Sequence, residues 1–111
     1  MAESEVVLVL GTFPNLELAR FVSKTLVQEH LAACVNLFPQ IESIYCWNGV
    51  LKQSEEVGFW LKTRPECYRA LEARILELHP YEVPALVVLS VSSGLPAFLT
   101  WIQEQTQAGR S

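Results

Sequence analysis

The sequence is poor in charge, in paired cysteines and in long hydrophobic runs, and each shortage excludes a class of protein. Only 18% of the 111 residues are charged, the formal net charge is −4, and the basic residues form no stripe, so no nucleic-acid partner is expected. No apolar run approaches the roughly 20 residues of a membrane-spanning helix, so no membrane partner is expected. The three cysteines include no C-x-x-C pair, which argues against a disulfide framework and a zinc module.

Length and composition predict a single domain over residues 1–111. The chain opens with acidic residues, and the apolar stretch 6–10 is too short for the core of a secretory signal. The expected compartment is therefore the cytoplasm, with the cysteines reduced. Half of the residues are hydrophobic, which is a large share for so small a domain. We therefore expect part of the surface to be covered by partner subunits.

The hydrophobic pattern predicts alternating strands and helices without a linker. Asn48-Gly49 is a strong hairpin signal between two strands, and Thr63 with Glu66 has the spacing of a capping box. The first predicted elements are a strand at 6–10, a helix from Asn15 to about His30, and strands at 32–47 (interrupted at Pro39) and 50–63. A second helix follows, with an apolar stripe of Cys67, Leu71, Ile75 and Leu78, and then a strand at 84–91. The last helix opens at Gly94-Leu95-Pro96, and its stripe is Leu95, Phe98, Leu99 and Ile102. This order predicts an α+β, ferredoxin-like fold: β-α-β-β-α-β with an antiparallel sheet, helices on one face and an extra C-terminal helix.

The two central strands are long for a domain of this size. Strands of about 14 residues at about 3.3 Å per residue run for about 45 Å, whereas a compact domain of 100 residues has a radius of gyration of about 13 Å. The hairpin is therefore expected to overhang its own domain and to pair with other subunits in a closed, symmetric and heat-resistant assembly. The alternative is that Pro39 breaks the first strand and the hairpin bends back over its own core.

One face of the hairpin is predicted to combine aromatic and charged side chains. With a two-residue turn and no bulge, the strand period of two places these residues on one side: Tyr45, Trp47, Lys52, Glu56, Trp60 and Lys62. Aromatic rings beside charges are typical of a ligand cleft or a subunit interface. The alternative is a half-solvated sheet face with ordinary cross-strand pairs. A bulge near Gly58 would turn Trp60 into the core.

Residues 79–84, His-Pro-Tyr-Glu-Val-Pro, are held between two prolines, and we call them the proline clamp. Each proline fixes its own φ and pushes the preceding residue towards extended geometry, so the clamp presents its ionisable side chains with little loss of entropy. It joins the second helix to the last strand, at one end of the sheet. We therefore predict a cleft between the clamp and a hairpin, formed partly by adjacent subunits. The residues predicted to line or adjoin it are Trp47, Glu56, Trp60, Lys62, His79, Tyr81 and Glu82.

Several stretches together resemble the CutA family, the divalent-cation-tolerance proteins. They are LAACVN at 31–36, SIYCWNG at 43–49, residues 56–63, HPYEVP at 79–84 and LTWI at 99–102. The match spans residues 6–102 in the order of the family. The resemblance implies a ferredoxin-like homotrimer whose long hairpins pair between subunits, with clefts at the subunit boundaries and a shape similar to the PII signalling proteins.

The resemblance also implies a role for metal ions. Family members linked to copper look to bind it through a thiol at the end of the first strand and through two histidines, one of them directly before the His-Pro pair. Gly11 and Leu78 occupy those positions here, so His79 is the one remaining metal ligand. The expectation is weak copper binding and no required cofactor. Cys67, at the start of a helix, is expected to have a lowered pKa and to take soft metals adventitiously.

A binding function is favoured over an enzyme. The sequence contains no G-x-S-x-G, H-E-x-x-H or P-loop motif. A Cys34–His79 pair, or Lys62 with Glu56 and His79, would support catalysis only if these side chains met in space. The prediction is a trimer that responds to a metal ion or a small molecule. The alternative is a structural trimer without a ligand, or a small acid–base enzyme.

Overall fold

A computed structural model describes residues 5–106 of the chain. The elements are β1 (Val7–Phe13), α1 (Leu16–Gln28), β2 (Cys34–Trp47), β3 (Val50–Thr63), α2 (Pro65–Leu78), β4 (Leu86–Ser90) and α3 (Pro96–Gln105). The ends of the predicted domain, residues 1–4 and 107–111, lie outside the described part. No helix between residues 5 and 106 is long and apolar enough to cross a bilayer.

The four strands form one antiparallel sheet in the order β2-β3-β1-β4. This confirms the predicted α+β architecture and the element order. α1 and α2 pack on one face of the sheet, where Val9 of β1 and Leu61 of β3 lie beside Leu26 and Leu71 of the helices, all at most 1% exposed. No helix of this cluster covers the opposite face, which we call the open face.

Local sequence explains how the elements begin. The Asn15 side chain accepts a hydrogen bond from the Leu18 amide at 2.8 Å, so the predicted N-cap of α1 is confirmed. The prediction of a capping box before α2 is wrong. The Thr63 hydroxyl donates to the Leu31 carbonyl at 2.6 Å, because β3 runs on to this residue, and Arg64 stands at the N-cap without a side-chain hydrogen bond.

The C-terminal elements depart from prediction in extent and burial. β4 is shorter than the predicted strand at 84–91. In α3 only Ile102 of the predicted stripe is fully buried, whereas Leu95 is 71% and Phe98 41% exposed. This helix packs against the end of the sheet through Ile102 and Leu99, which lie near Val6 and Ala33.

The hairpin β2–β3 extends well beyond the rest of the sheet. β1 pairs with β3 only over Val57–Thr63, so residues 41–47 and 50–56 pair only with each other; we call these residues the hairpin tip. The turn register is as predicted, with Trp47 opposite Val50. The molecule measures 43 Å along its longest axis, and the hairpin does not bend back over the core as the alternative required.

A bulge interrupts β2 between Phe38 and Ile41. Three steps along β2 match two along β3, and Gln40 takes up the extra residue with a φ of 63°. Pro39, which cannot donate to the ladder, lies inside the bulge, where no donor is needed. β2 therefore remains one strand across the proline, although the sequence predicted an interruption there.

Candidate functional site

A cleft of about 420 Å³ lies where the hairpin tip leaves the sheet, against the proline clamp. Its lining residues come from the end of β1, both strands of the hairpin and the segment that leads into β4. They are Thr12, Tyr45, Trp47, Lys52, Glu56, Tyr81, Glu82, Val83 and Ala85. Three remote segments thus build one concave site, as is usual for ligand pockets.

Glu56 is the central side chain of the cleft. It is only 6% exposed, which is rare for a carboxylate. Its Oε2 atom accepts hydrogen bonds from the Tyr81 hydroxyl at 3.1 Å and from the Thr12 hydroxyl at 3.4 Å. Burial, and then the hydrogen bond to Glu56, raises the pKa of Tyr81, so its hydroxyl keeps its proton and remains the donor.

His79 lies directly behind the cleft rather than on its wall. Its Nδ1 atom accepts from the Tyr81 amide at 3.2 Å, so the ring proton must lie on Nε2, which donates to the Thr12 carbonyl at 2.9 Å. The ring also stacks on Phe13, with centroids 5.5 Å apart, and is 7% exposed. The imidazole thus ties the proline clamp to the end of β1 and holds Tyr81 in position.

This geometry does not favour His79 as a metal ligand. A neutral imidazole binds a metal through its one unprotonated nitrogen, and the Tyr81 amide already occupies that nitrogen. Within residues 5–106 no three His, Cys, Asp or Glu side chains group as metal ligands would. At the position of the implied thiol, a side chain on Gly11 would meet the Ala85 carbonyl at 2.3 Å. The donor set of this chain therefore does not fit a specific copper site.

The structure brings four of the seven predicted cleft residues together on its wall: Trp47, Glu56, Tyr81 and Glu82. His79 adjoins it from behind. Trp60 and Lys62 share the open face but not the cleft. They lie about 13 Å and about 20 Å along β3 from Glu56 on the side away from the hairpin turn, whereas the cleft extends towards the turn. Trp60 packs edge-on against Phe38, and the Lys62 ammonium donates to the Asn36 side chain.

Five lining residues were not predicted as cleft residues: Thr12, Tyr45, Lys52, Val83 and Ala85. Tyr45 and Lys52 had a usable signal, because they are cross-strand partners on the same side as Glu56. Both lie nearer the hairpin turn than Trp60 and Lys62 do. Thr12 and Ala85 have no sequence signal of their own, since only the pairing of β1 with its neighbours brings them here.

Cys67 also differs from prediction. It is 1% exposed, and its thiol lies 3.2 Å from the Thr106 carbonyl, to which it donates. Burial raises its pKa instead of the helix start lowering it. The residue is thus a packed group of the core, without the thiolate character that soft metals require.

Comparisons with known proteins agree with this architecture. The family model described as CutA1 divalent ion tolerance protein matches residues 7–105. The chain is 42% identical over 102 residues to the divalent-cation tolerance protein CutA of Thermus thermophilus, covering 92% of this chain and 97% of that protein. It is 35% identical over 101 residues to the chloroplastic protein CutA of Arabidopsis thaliana, covering 91% of this chain and 56% of that one.

The fold has close counterparts among solved structures. The crystal structure of CutA from Xylella fastidiosa superposes with a TM-score of 0.91 at 39% identity, covering 94% of this chain and all of that one. Sequence and structure thus agree over nearly the whole chain. The chain belongs to the CutA1 family of divalent-ion-tolerance proteins.

Proposed function

We propose that the chain forms a homotrimer that binds a small molecule or a metal ion in clefts at its subunit boundaries, and that it acts as a ligand-responsive binding protein similar in shape to the PII signalling proteins. The cleft beside Glu56 is the observation that carries the proposal. It combines a buried carboxylate, aromatic rings and a lysine around a volume of about 420 Å³, which is within the usual range for small-molecule sites.

The hairpin tip supports assembly because it is apolar on both faces. Ile44 and Leu51, on one face, are 66% and 77% exposed, and Trp47 and Val50, on the cleft face, are also about half exposed. β2 is in addition an edge strand of the sheet. An apolar edge is normally paired or covered, and a second copy of the same hairpin offers a complementary edge.

The open face of the sheet supports the same assembly. Leu10, Trp60 and Val87 are neighbours across three strands on this face, and the last two are 47% and 57% exposed. A contiguous apolar face of this kind marks an interface. Closed cyclic symmetry would cover it in every subunit, with the hairpin tips pairing between neighbours, and would couple unfolding to dissociation, which supports high thermal stability.

Metal binding in this assembly is proposed to be weak. The name of the Thermus thermophilus relative refers to divalent cations. In this chain, however, Glu56 and Glu82 are the two anionic groups of the cleft, and both nitrogens of His79 are engaged. Two carboxylates bind a hard divalent cation poorly, and copper prefers imidazole or thiolate ligands. Copper is therefore expected as a loosely bound ion rather than a resident cofactor.

Binding is also favoured over catalysis by the positions of the candidate groups. Cys34 pairs with Lys62 at one end of the sheet, whereas His79 contacts Thr12 near the other end, about 13 Å further along the strands. Neither the Cys34–His79 pair nor the Lys62–Glu56–His79 set is assembled in the single chain. A structural trimer without a ligand is the second candidate, and the exposed apolar surfaces favour it as strongly as they favour the first.

Two measurements test the proposal. Sedimentation equilibrium should give three times the chain mass of 12.5 kDa. Leu51→Asp in the hairpin tip should lower this mass, whereas Leu76→Asp, at an exposed leucine of α2, should not. A monomeric wild type would contradict the assembly.

The second measurement is a screen of small metabolites and divalent cations by melting temperature and tryptophan fluorescence. Trp47 lines the cleft, so a bound ligand should change its emission. A trimer that responds to no compound in the screen would favour the structural candidate.

A further inference from the structure

The hydrogen bonds of Glu56 leave one of its oxygens unused. The Tyr81 and Thr12 hydroxyls both donate to Oε2. Within residues 5–106 no donor contacts Oε1, and no cation lies within ion-pair distance of the carboxylate. In the same part of the chain, the fully buried side-chain polar atoms that lack a partner are the Ser23 and Ser54 hydroxyls. Because Oε1 lacks a partner and is not among them, it keeps some exposure to solvent. A residue that is 94% buried thus presents one bare oxygen to the cleft.

A half-satisfied buried carboxylate favours a positively charged partner. Two neutral hydroxyl donors replace only part of the water that an ionised carboxylate loses on burial. A donor that also carries charge would complete the coordination of Glu56. Lys52 is the one cationic side chain among the cleft residues. It lies four residues along β3 from Glu56, so the two backbones are about 13 Å apart, and the two side chains form no ion pair.

The rest of the cleft wall also suits an organic cation. Tyr45 and Trp47 lie on the same side of the hairpin as Glu56 and are 41% and 42% exposed. Aromatic faces attract ammonium and guanidinium groups. Glu82 adds a second carboxylate, so the titratable lining residues bring two negative charges and one positive charge. An anion would meet an unfavourable potential, and a bare divalent ion would find too few ligands.

We infer that the cleft binds a small organic cation, an alkylamine or guanidine, whose N–H group donates to Oε1 of Glu56 and whose alkyl chain lies on Tyr45 and Trp47. This inference rests on the proposed ligand-binding function and names the chemical class of the ligand. The buried carboxylate sets the charge of the ligand, and the two exposed rings set its apolar part.

Three probes with the same four-carbon chain test the class: putrescine, butanediol and succinate. Each has four carbons, and the two ends carry amines, hydroxyls or carboxylates respectively. Calorimetric titration of the assembled protein should show binding of putrescine and little binding of the other two. Glu56→Gln should weaken putrescine binding tenfold or more, as expected for loss of a charge-assisted hydrogen bond. Glu55→Gln removes the same charge from the next position, on the opposite face of β3, and should leave binding unchanged.

Trp47→Leu is a second variant in case Glu56→Gln does not fold. It keeps both carboxylates and should weaken putrescine binding about two- to fivefold, because the alkyl chain loses part of the ring surface on which it lies. Preferred binding of succinate or butanediol would overturn the amine class while leaving a ligand-binding cleft intact. Putrescine binding that survives both Glu56→Gln and Trp47→Leu would place the amine elsewhere. Failure of all three probes would overturn the inference, whereas the proposed function is judged by the wider screen.

Discussion

Replacing His79 by alanine separates a structural histidine from a metal ligand. In the structure the imidazole donates to the Thr12 carbonyl, accepts from the Tyr81 amide and stacks on Phe13. If these contacts are its role, His79→Ala destabilises the fold and leaves metal binding unchanged. If the side chain is a ligand, the same variant loses metal binding and changes stability little.

The expected loss follows from the contacts. Each lost hydrogen bond costs about 0.5–1.5 kcal/mol, and a buried polar group left without its donor costs about 1–3 kcal/mol. The ring is also 93% buried, and its removal leaves a cavity beside Phe13. Because the two backbone groups can relax towards water at the edge of the cleft, we expect a total of about 2–4 kcal/mol in the free energy of unfolding.

Two conservative variants divide this loss between the two bonds. The amide nitrogen of His79→Gln can replace Nε2 and donate to the Thr12 carbonyl, whereas the side-chain oxygen of His79→Asn can replace Nδ1 and accept from Tyr81. Each should recover part of the loss. His30→Asn is the control at the other histidine, because the φ of 62° there suits asparagine, and it should cost less than about 1 kcal/mol.

Urea unfolding at one fixed protein concentration measures these differences, since assembly makes the midpoint depend on concentration. A copper titration followed by tryptophan fluorescence is run on the same samples. If the unfolding free energy of His79→Ala lies within about 0.5 kcal/mol of the wild type, the range of ordinary surface substitutions, these contacts do not stabilise the fold. Loss of tight copper binding in that variant would restore His79 as a ligand.

Tyr68, Cys67 and Gly11 can each be tested independently of His79. Burial and the 2.8 Å hydrogen bond to Glu72 raise the pKa of Tyr68 from 10.0 to about 12, so the protonated phenol stabilises the fold. This stabilisation is complete below pH 10.0 and is lost as the pH rises towards about 12. The free energy of unfolding in urea should therefore change less with pH over this range in Tyr68→Phe than in the wild type. Cys67 should resist alkylation by iodoacetamide until the protein unfolds, as followed by mass spectrometry in increasing urea. Gly11→Cys should destabilise the fold by about 1–3 kcal/mol in urea, because its Cβ would meet a carbonyl of the adjoining segment at 2.3 Å.

The fold could be predicted from the sequence mainly because one turn fixes so much of it. Asn48-Gly49 sets the register of the hairpin, and the bounds of β3, Val50–Thr63, agree with the predicted strand at 50–63. The signals that failed were short and had a competing partner. Thr63 has the spacing of a cap, but its hydroxyl is taken by the Leu31 carbonyl, a contact between residues far apart in sequence.

The candidate site could be predicted only in part, for a similar reason. Period two along β3 gives the face of each residue but not the point along the strand where the clamp crosses it. That point depends on how β1 pairs with β3, which places Thr12 opposite Gly58 and therefore beside Glu56. Trp60 and Lys62 thus lie on the predicted face of β3 but outside the cleft of the single chain.

The bulge at Gln40 shifts the faces of residues within β2 and leaves β3 regular, and this role can be tested. Val35 and Leu37 pack against the core, whereas Tyr45 and Trp47 face the cleft, although all four are odd-numbered in one strand. Only the extra residue in β2 lets both pairs keep their places, and because it lies in β2, Trp60 of β3 is not turned inwards. Gln40→Gly should keep the bulge and stabilise the protein by up to about 1 kcal/mol, since glycine adopts a φ of 63° without strain. Deletion of Gln40 should turn either Val35 and Leu37 or Tyr45 and Trp47 to the opposite face of the sheet. If the core pair is turned, the free energy of unfolding in urea should fall by about 1.5–3 kcal/mol for each side chain removed from the core. A deletion variant as stable as the wild type would show that the bulge does not set the register of the hairpin.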